Sequence, residues 1–266
     1  MKLIKAINLT KRFGDVIALD NISFSVPSGL SMLIGPNGGG KSTFLRIGAG
    51  LLKPDDGELT ILGAEPYNEF KKISGKVTYA FERANLPKNL GIIDFLDGIG
   101  EMRGADNVDE IIELFGLGEQ SEKKFGELSQ GYKRRTIMAQ AFIGHPGLIF
   151  LDEPFSNLDP MARMELSMII ERMKKEGKNI FLITHILGSI EPDYIVMLYQ
   201  GKVIRADPAE KLDLGKGRIK IQMGDEVKVV EDLGDIERMV AEGGRILEIK
   251  TRSLEDLIYG TLKKNL

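Results

Sequence analysis

Apolar positions along the chain alternate between short uninterrupted runs and stretches with a helical repeat. Residues 3–9 and 16–26 mix alternation with β-branched side chains around Phe13-Gly14-Asp15, which predicts two antiparallel strands joined by a turn. A third strand is expected at 58–62. Apolar runs at 31–34, 76–81, 148–151, 180–184 and 194–198 read as strands, and the segments 43–49 and 160–176 between them read as helices. Pro160 suits a first helical position. Within that helix Met161, Met164 and Met168 recur at i, i+3 and i+7, which reads as a stripe facing the core.

This order predicts an α/β fold with a parallel sheet. Residues 89–142 break the alternation: Ile92, Phe95, Leu96 and Ile99, then Val108, Ile111, Ile112 and Phe115, keep helical spacing and mark a helical insert. From Arg205 onward the chain is punctuated by glycine and rich in both charge signs, with a terminal helix expected at 253–264. The expected organisation is a main domain at 1–205, with a helical subdomain at 88–142 inside it, and a C-terminal extension at 206–266 without an assigned role.

Charge and composition narrow the partners. The 36 basic and 39 acidic residues leave a net charge of −3, so the net charge supplies no general attraction to nucleic acid, and none is expected as a partner. The absence of cysteine excludes disulfides, thiol catalysis and thiolate metal sites, and fits the cytoplasm. Met1-Lys2-Leu3-Ile4-Lys5 carries charge where a signal peptide needs an apolar stretch, and no apolar run reaches the roughly eighteen residues of a membrane span. A role in transport would therefore require separate membrane-spanning subunits.

Candidate chemistry begins at Gly35-Pro36-Asn37-Gly38-Gly39-Gly40-Lys41-Ser42-Thr43, between an apolar strand and a helical segment. Glycines let consecutive backbone N–H groups turn toward phosphate oxygens, Lys41 brings positive charge to the β- and γ-phosphates, and the Ser42 hydroxyl can ligate Mg²⁺. The following helix aims its positive end at the same phosphates. This pattern predicts binding of a nucleoside triphosphate. A second motif, the apolar run 148–151 followed by Asp152 and Glu153, places two carboxylates at the carboxyl edge of the sheet. Asp152 suits a Mg²⁺-holding role and Glu153 suits activation of the water that attacks the γ-phosphate.

Between these motifs lies Leu128-Ser129-Gln130-Gly131-Tyr132-Lys133-Arg134-Arg135, and after them come Ser156-Asn157-Leu158-Asp159 and Thr184-His185. In this order the set resembles the ATP-binding cassette (ABC) ATPases, the nucleotide-binding subunits of ABC transporters, over roughly residues 1 to 205. The resemblance implies a RecA-like P-loop core, with an N-terminal antiparallel β subdomain and an inserted helical one, that uses ATP and Mg²⁺. It implies that Phe13 stacks on adenine, although Phe13 also reads as a staple in a hairpin turn. It places Ser129 and Gly131, with Gln130 between them, at the signature that meets the ATP held by a second ATPase subunit. Asp159 would lie at that seam, and His185 would meet the γ-phosphate. Glu82 falls where the family usually has a Mg²⁺-sensing glutamine.

Head-to-tail pairing of two copies, or of a copy and a relative, follows from the same resemblance, as does attachment to the cytoplasmic face of a membrane through permease subunits. Residues 253–257 resemble the tail of exporter-type subunits and lean toward export. Gln130 and Tyr132 depart from the usual Leu-Ser-Gly-Gly-Gln signature, Gly39 replaces a common serine, and Glu82 adds charge near the triphosphate. Lys133, Arg134 and Arg135 read as a solvated helix face with local salt bridges, and His145 as a surface loop residue. A soluble ABC clamp or assembly factor is the alternative. A phosphotransferase would leave Ser129, Asp159 and His185 without a shared role.

Overall fold

The computed structural model describes residues 2–82, 84, 86–185, 190–212, 218–230, 238–250 and 261. Strands β1 (Lys2–Phe13) and β2 (Val16–Pro27) form the expected antiparallel pair, and β3 (Leu30–Ile34) leads into α1 (Lys41–Gly48). Strand β4 (Asp56–Ile61) joins β1 on its other edge, giving an antiparallel sheet of order β2-β1-β4. A short helix α2 (Phe70–Ile73) precedes β5 (Val77–Ala80). The helical insert follows as α3 (Ile92–Arg103), α4 (Val108–Leu114) and α5 (Gln130–Phe142).

The chain then returns to the main sheet with β6 (Leu148–Asp152), α6 (Pro160–Lys175), β7 (Ile180–Thr184), β8 (Tyr194–Tyr199) and β9 (Lys202–Pro208). The main sheet has the order β5-β6-β7-β3-β8-β9, parallel throughout except for the antiparallel edge strand β9. Every residue of β3, β6 and β7 is buried, because both faces of the sheet are covered. Alternate side chains divide between the two covers. Met32, Leu151 and Leu182 pack with Leu96, Phe115 and Phe142 of the insert, while Leu33, Phe150 and Phe181 pack with Phe44 of α1 and Ile4 of β1.

Two outcomes differ from the sequence expectation. Strand β9 crosses the boundary expected at 205/206, so the core sheet continues to Pro208 before the extension begins. The extension contains β10 (Arg218–Met223), β11 (Glu226–Val230) and β12 (Arg245–Lys250) in an antiparallel sheet of order β11-β10-β12, with Ile221 and Met239 in a small core. Apart from Thr261, the expected terminal helix and the tail at 253–257 lie outside the described residues.

The methionine stripe of α6 is the second difference. Met161 and Met168 are 55% and 50% exposed, whereas Leu166, Ile170 and Met173 form the buried face. The helix carries two apolar stripes, and the core covers only the one at i, i+4 and i+7.

Candidate nucleotide site

Strands β6, β7 and β3 lie side by side, and each ends at the same edge. Thr184 pairs with Ile34, and Asp152 pairs with Ile183, so residues far apart in sequence meet at the carboxyl ends of three neighbouring strands. The phosphate loop leaves β3 there and turns into α1. Gly40 caps α1 at φ 104°, and a Cβ at that position would stand 2.5 Å from the Ala18 carbonyl oxygen. A side chain is excluded both by conformation and by space. At Gly35 space alone forbids a side chain, since a Cβ there would come within 2.1 Å of the Leu198 carbonyl oxygen.

Lys41 is buried, and its Nζ donates to the carbonyls of Gly35 (2.7 Å) and Pro36 (3.1 Å). It lies 3.9 Å from Glu153 Oε1. Burial lowers the Lys41 pKa, and the negative charges of Glu153, Asp152 and Glu82 oppose that shift.

The carboxylates have distinct surroundings. Asp152 is buried at the end of β6, which raises its pKa to about 6; the charges of Glu153 and Glu82 add to the rise, and the Glu82 N–H and the Arg134 charge oppose it. The Glu82 N–H reaches Asp152 Oδ2 at 3.4 Å. Glu153 has a left-handed backbone, φ 45°, which costs a non-glycine residue about 1–3 kcal/mol and is sustained by its surroundings. Its Oε2 accepts from Thr184 Oγ1 (3.2 Å) and from the His185 N–H (3.4 Å), and lies 2.9 Å from His185 Nδ1. Glu153 is thus aimed at the loop from one side and held by β7 from the other.

An open cleft joins these groups, lined by Val16 to Ala18, Asn37 to Thr43, Glu82, Glu153, Ser156 and His185. The structure therefore brings together Lys41, Ser42, Thr43, Glu82, Glu153 and His185. Asp152 sits directly behind, at the end of β6. Phe13 falls outside this lining: it is 46% exposed on the hairpin turn, with the Lys11 ammonium 5.6 Å from its ring centroid. Val16 and Ile17, on the strand after the turn, supply exposed apolar surface inside the cleft. Alternation in β2 made them look like ordinary strand residues.

Ser129, Gly131 and Asp159 also lie outside the cleft lining. Ser129 caps α5 and its Oγ accepts from the Tyr132 N–H at 3.3 Å; Asp159 caps α6 and its Oδ1 accepts from the Ala162 N–H at 2.9 Å. Both residues are exposed. Gln130 lines a second cleft with Glu82, Arg134 and Ser156, so Glu82 and Ser156 border both.

Arg134 overturns the expectation of a solvated arginine. It is 7% exposed, and its Nη1 donates to the carbonyls of Phe81 (3.0 Å) and Glu82 (2.9 Å), its Nε to that of Pro154 (3.3 Å), and its Nη2 to those of Asp152 and Glu153. Burial lowers its pKa to about 10, opposed by Asp152, Glu82 and Glu153, so it stays charged at neutral pH. Arg135, one residue on, pairs with Glu165 of α6, so the salt bridge it makes is a tertiary one and not the local pair that the sequence suggests. The two side chains diverge because successive residues point about 100° apart on a helix. His145 is exposed, as expected, beside Asp106.

Mg²⁺ is tested by the oxygen donors present. Ser42 lines the cleft and the Asp152 carboxylate stands at the end of β6, within 3.4 Å of the Glu82 N–H; hydroxyl and carboxylate oxygens are hard donors of the kind this ion takes. Among the described residues no group of three His, Cys, Asp or Glu side chains is placed to hold a metal ion.

Comparison with known proteins agrees with this geometry. The family described as ABC transporter matches residues 19–156. The chain is 33% identical over 218 residues to the probable multidrug ABC transporter ATP-binding protein YbhF of Escherichia coli (strain K12), covering 79% of this chain but only 38% of that protein. It is 32% identical over 237 residues to the bacitracin transport ATP-binding protein BcrA of Bacillus licheniformis, covering 86% of this chain and 77% of that one. A dimeric ATP-binding cassette in a post-hydrolysis state, bound to ADP and Pi, superposes with a TM-score of 0.68 at 25% identity, over 77% of this chain and 98% of the other. The chain belongs to the ABC transporter family.

Proposed function

We propose that the chain is the ATP-hydrolysing subunit of an ABC transporter, acting as a head-to-tail pair on separate membrane-spanning permeases at the cytoplasmic face of a membrane. The observation that carries this reading is the Glu153 carboxylate, held by Thr184 and His185 and facing Lys41 across the phosphate loop. No helix of the described residues is long and apolar enough to cross a membrane, which fits a division of labour with permease subunits. The names of the multidrug and bacitracin relatives support transport as the coupled work.

In this reading the backbone N–H groups of residues 35–43 and the Lys41 ammonium bind the triphosphate of ATP. Ser42 and Asp152 would hold Mg²⁺, with Glu82 beside them, and the ion would neutralise charge on the phosphate oxygens. Val16 and Ile17 offer apolar surface to the adenine in addition to Phe13. Glu153 accepts the proton of the attacking water as its oxygen bonds to the γ-phosphorus and the bond to the β-phosphate oxygen breaks. His185 and Lys41 stabilise the charge that develops on the γ-phosphoryl oxygens.

Ser129, Gln130, Gly131 and Asp159 lie away from the cleft of their own chain and are free to meet the nucleotide of a second copy. The dimeric cassette with ADP and Pi supports that arrangement. ATP then closes the pair and hydrolysis releases it. Replacing Glu153→Gln should lower hydrolysis by at least about 100-fold while leaving ATP affinity within about twofold, and should trap an ATP-dependent dimer visible by sedimentation. Hydrolysis at the parent rate would remove Glu153 from the base role.

A further inference from the structure

The guanidinium of Arg134 is the most heavily engaged buried charge that the phosphate chemistry does not use. Its described hydrogen bonds all end on main-chain carbonyls, and those carbonyls belong to two segments far apart in sequence: Phe81 and Glu82 after β5, and Asp152, Glu153 and Pro154 at the end of β6. A side chain that binds carbonyls holds backbone geometry. Here the backbone held is the left-handed turn at Glu153 (φ 45°), the conformation that aims the carboxylate at His185 and Lys41.

Arg134 itself stands in the first turns of α5, the helix capped by Ser129. One planar fork of five N–H donors therefore pins the Glu153 turn and the Glu82 segment to the helix that carries the signature residues. Lysine offers its donors from a single point and cannot span the same set of acceptors.

We propose that Arg134 is a positioning residue for hydrolysis, fixing the Glu153 turn and the Glu82 segment against α5. This rests on the reading of Glu153 as the base. The amides that report on it are those of Glu153, which donates to the Ile183 carbonyl at 2.7 Å, and Glu82, which donates to Asp152 Oδ2 at 3.4 Å. Both bonds belong to the segments that Arg134 grips. The phosphate loop receives no hydrogen bond from Arg134, so nucleotide capture and base placement should separate.

The test compares Arg134→Lys and Arg134→Gln with the parent in the full chain. Steady-state ATP hydrolysis should show kcat lowered by about 10- to 100-fold with KM for ATP within about twofold, the pattern of a group needed only for the chemical step. Hydrogen–deuterium exchange without nucleotide should speed up at Glu82 and Glu153 and stay at parent rates across residues 35–43. The idea is overturned by a kcat within twofold of the parent, by exchange that rises throughout the chain, or by loss of folding in both variants. Any of these would make Arg134 dispensable or a purely structural residue. Glu153→Gln, assayed alongside, separates the two readings: parent-level hydrolysis there sinks the base assignment, while the exchange pattern still decides whether Arg134 holds the turn.

Discussion

The phosphate loop and the capped helix starts at Ser129 and Asp159 differ in how much of their chemistry one chain completes. The loop is finished within the chain: Gly38 and Gly40 take left-handed backbones, Lys41 is buried with two carbonyl partners, and Glu153 and His185 arrive from neighbouring strands. Ser129 and Asp159 are exposed, lie outside that cleft, and each spends a side-chain oxygen on an N–H of its own helix. Capping orients these two segments, at about 1 kcal/mol each, without giving them a ligand. On the proposed reading, capture of ATP is a property of one subunit and its hydrolysis is a property of two.

Replacing Lys41→Ala should break the comparison on the loop side and have the largest effect. Nucleotide affinity and hydrolysis should fall together, each by about 100-fold or more, because the buried ammonium is the positive charge in the cleft nearest the phosphate loop. A fluorescent-nucleotide titration that gave parent affinity would show that capture lies elsewhere.

Ser129→Arg attacks the other side. It places bulk and charge on an exposed position, so nucleotide affinity and folding should stay near the parent values while hydrolysis drops about 10- to 100-fold through failed pairing. Hydrolysis that remained independent of both Ser129 and protein concentration would mean that one chain suffices.

Glu82→Gln has the smallest expected effect and sharpens the boundary, since Glu82 borders both clefts. The Asp152 pKa is raised to about 6, by burial first and then by its neighbours, and it is the ionised form that would hold Mg²⁺. Hydrolysis should therefore weaken as pH falls through that value. Removing the Glu82 charge removes one cause of the rise, so the acid limb should move to lower pH by less than about one unit, and half-saturation by Mg²⁺ should shift about two- to threefold. An unchanged pH profile and metal titration would place Glu82 outside the electrostatics of the site.

The elements that were legible in sequence are those whose signal is local. Strand β7 was delimited at 180–184 by its apolar run alone, and the start of α6 by Pro160, a residue suited to the first helical position. The loop could be read because its glycines answer a backbone demand within a few residues. The methionine stripe was misread for a different reason. Met161 and Met168 have the same hydrophobicity and spacing as a buried stripe, yet α6 docks through Leu166, Ile170 and Met173. Val16 and Ile17, which line the cleft beside the exposed Phe13 at the end of β1, carry no such local signal, because alternation marks them only as strand residues.

Sequence by itself determined the strand order's raw material, the phosphate loop, the paired acids and the family, because each is written in contiguous residues with a stereochemical reason to be adjacent. Only the tertiary structure decided which of two neighbouring arginines would be buried. Arg134 and Arg135 are chemically identical, and nothing local separates them. The packing of α5 against β5 turns Arg134 toward the carbonyls of Phe81, Glu82 and the Glu153 turn, and leaves Arg135 to Glu165 at the surface. A side chain's role follows from the acceptors within its reach, and those are set by chain segments brought together only when the sheet is assembled.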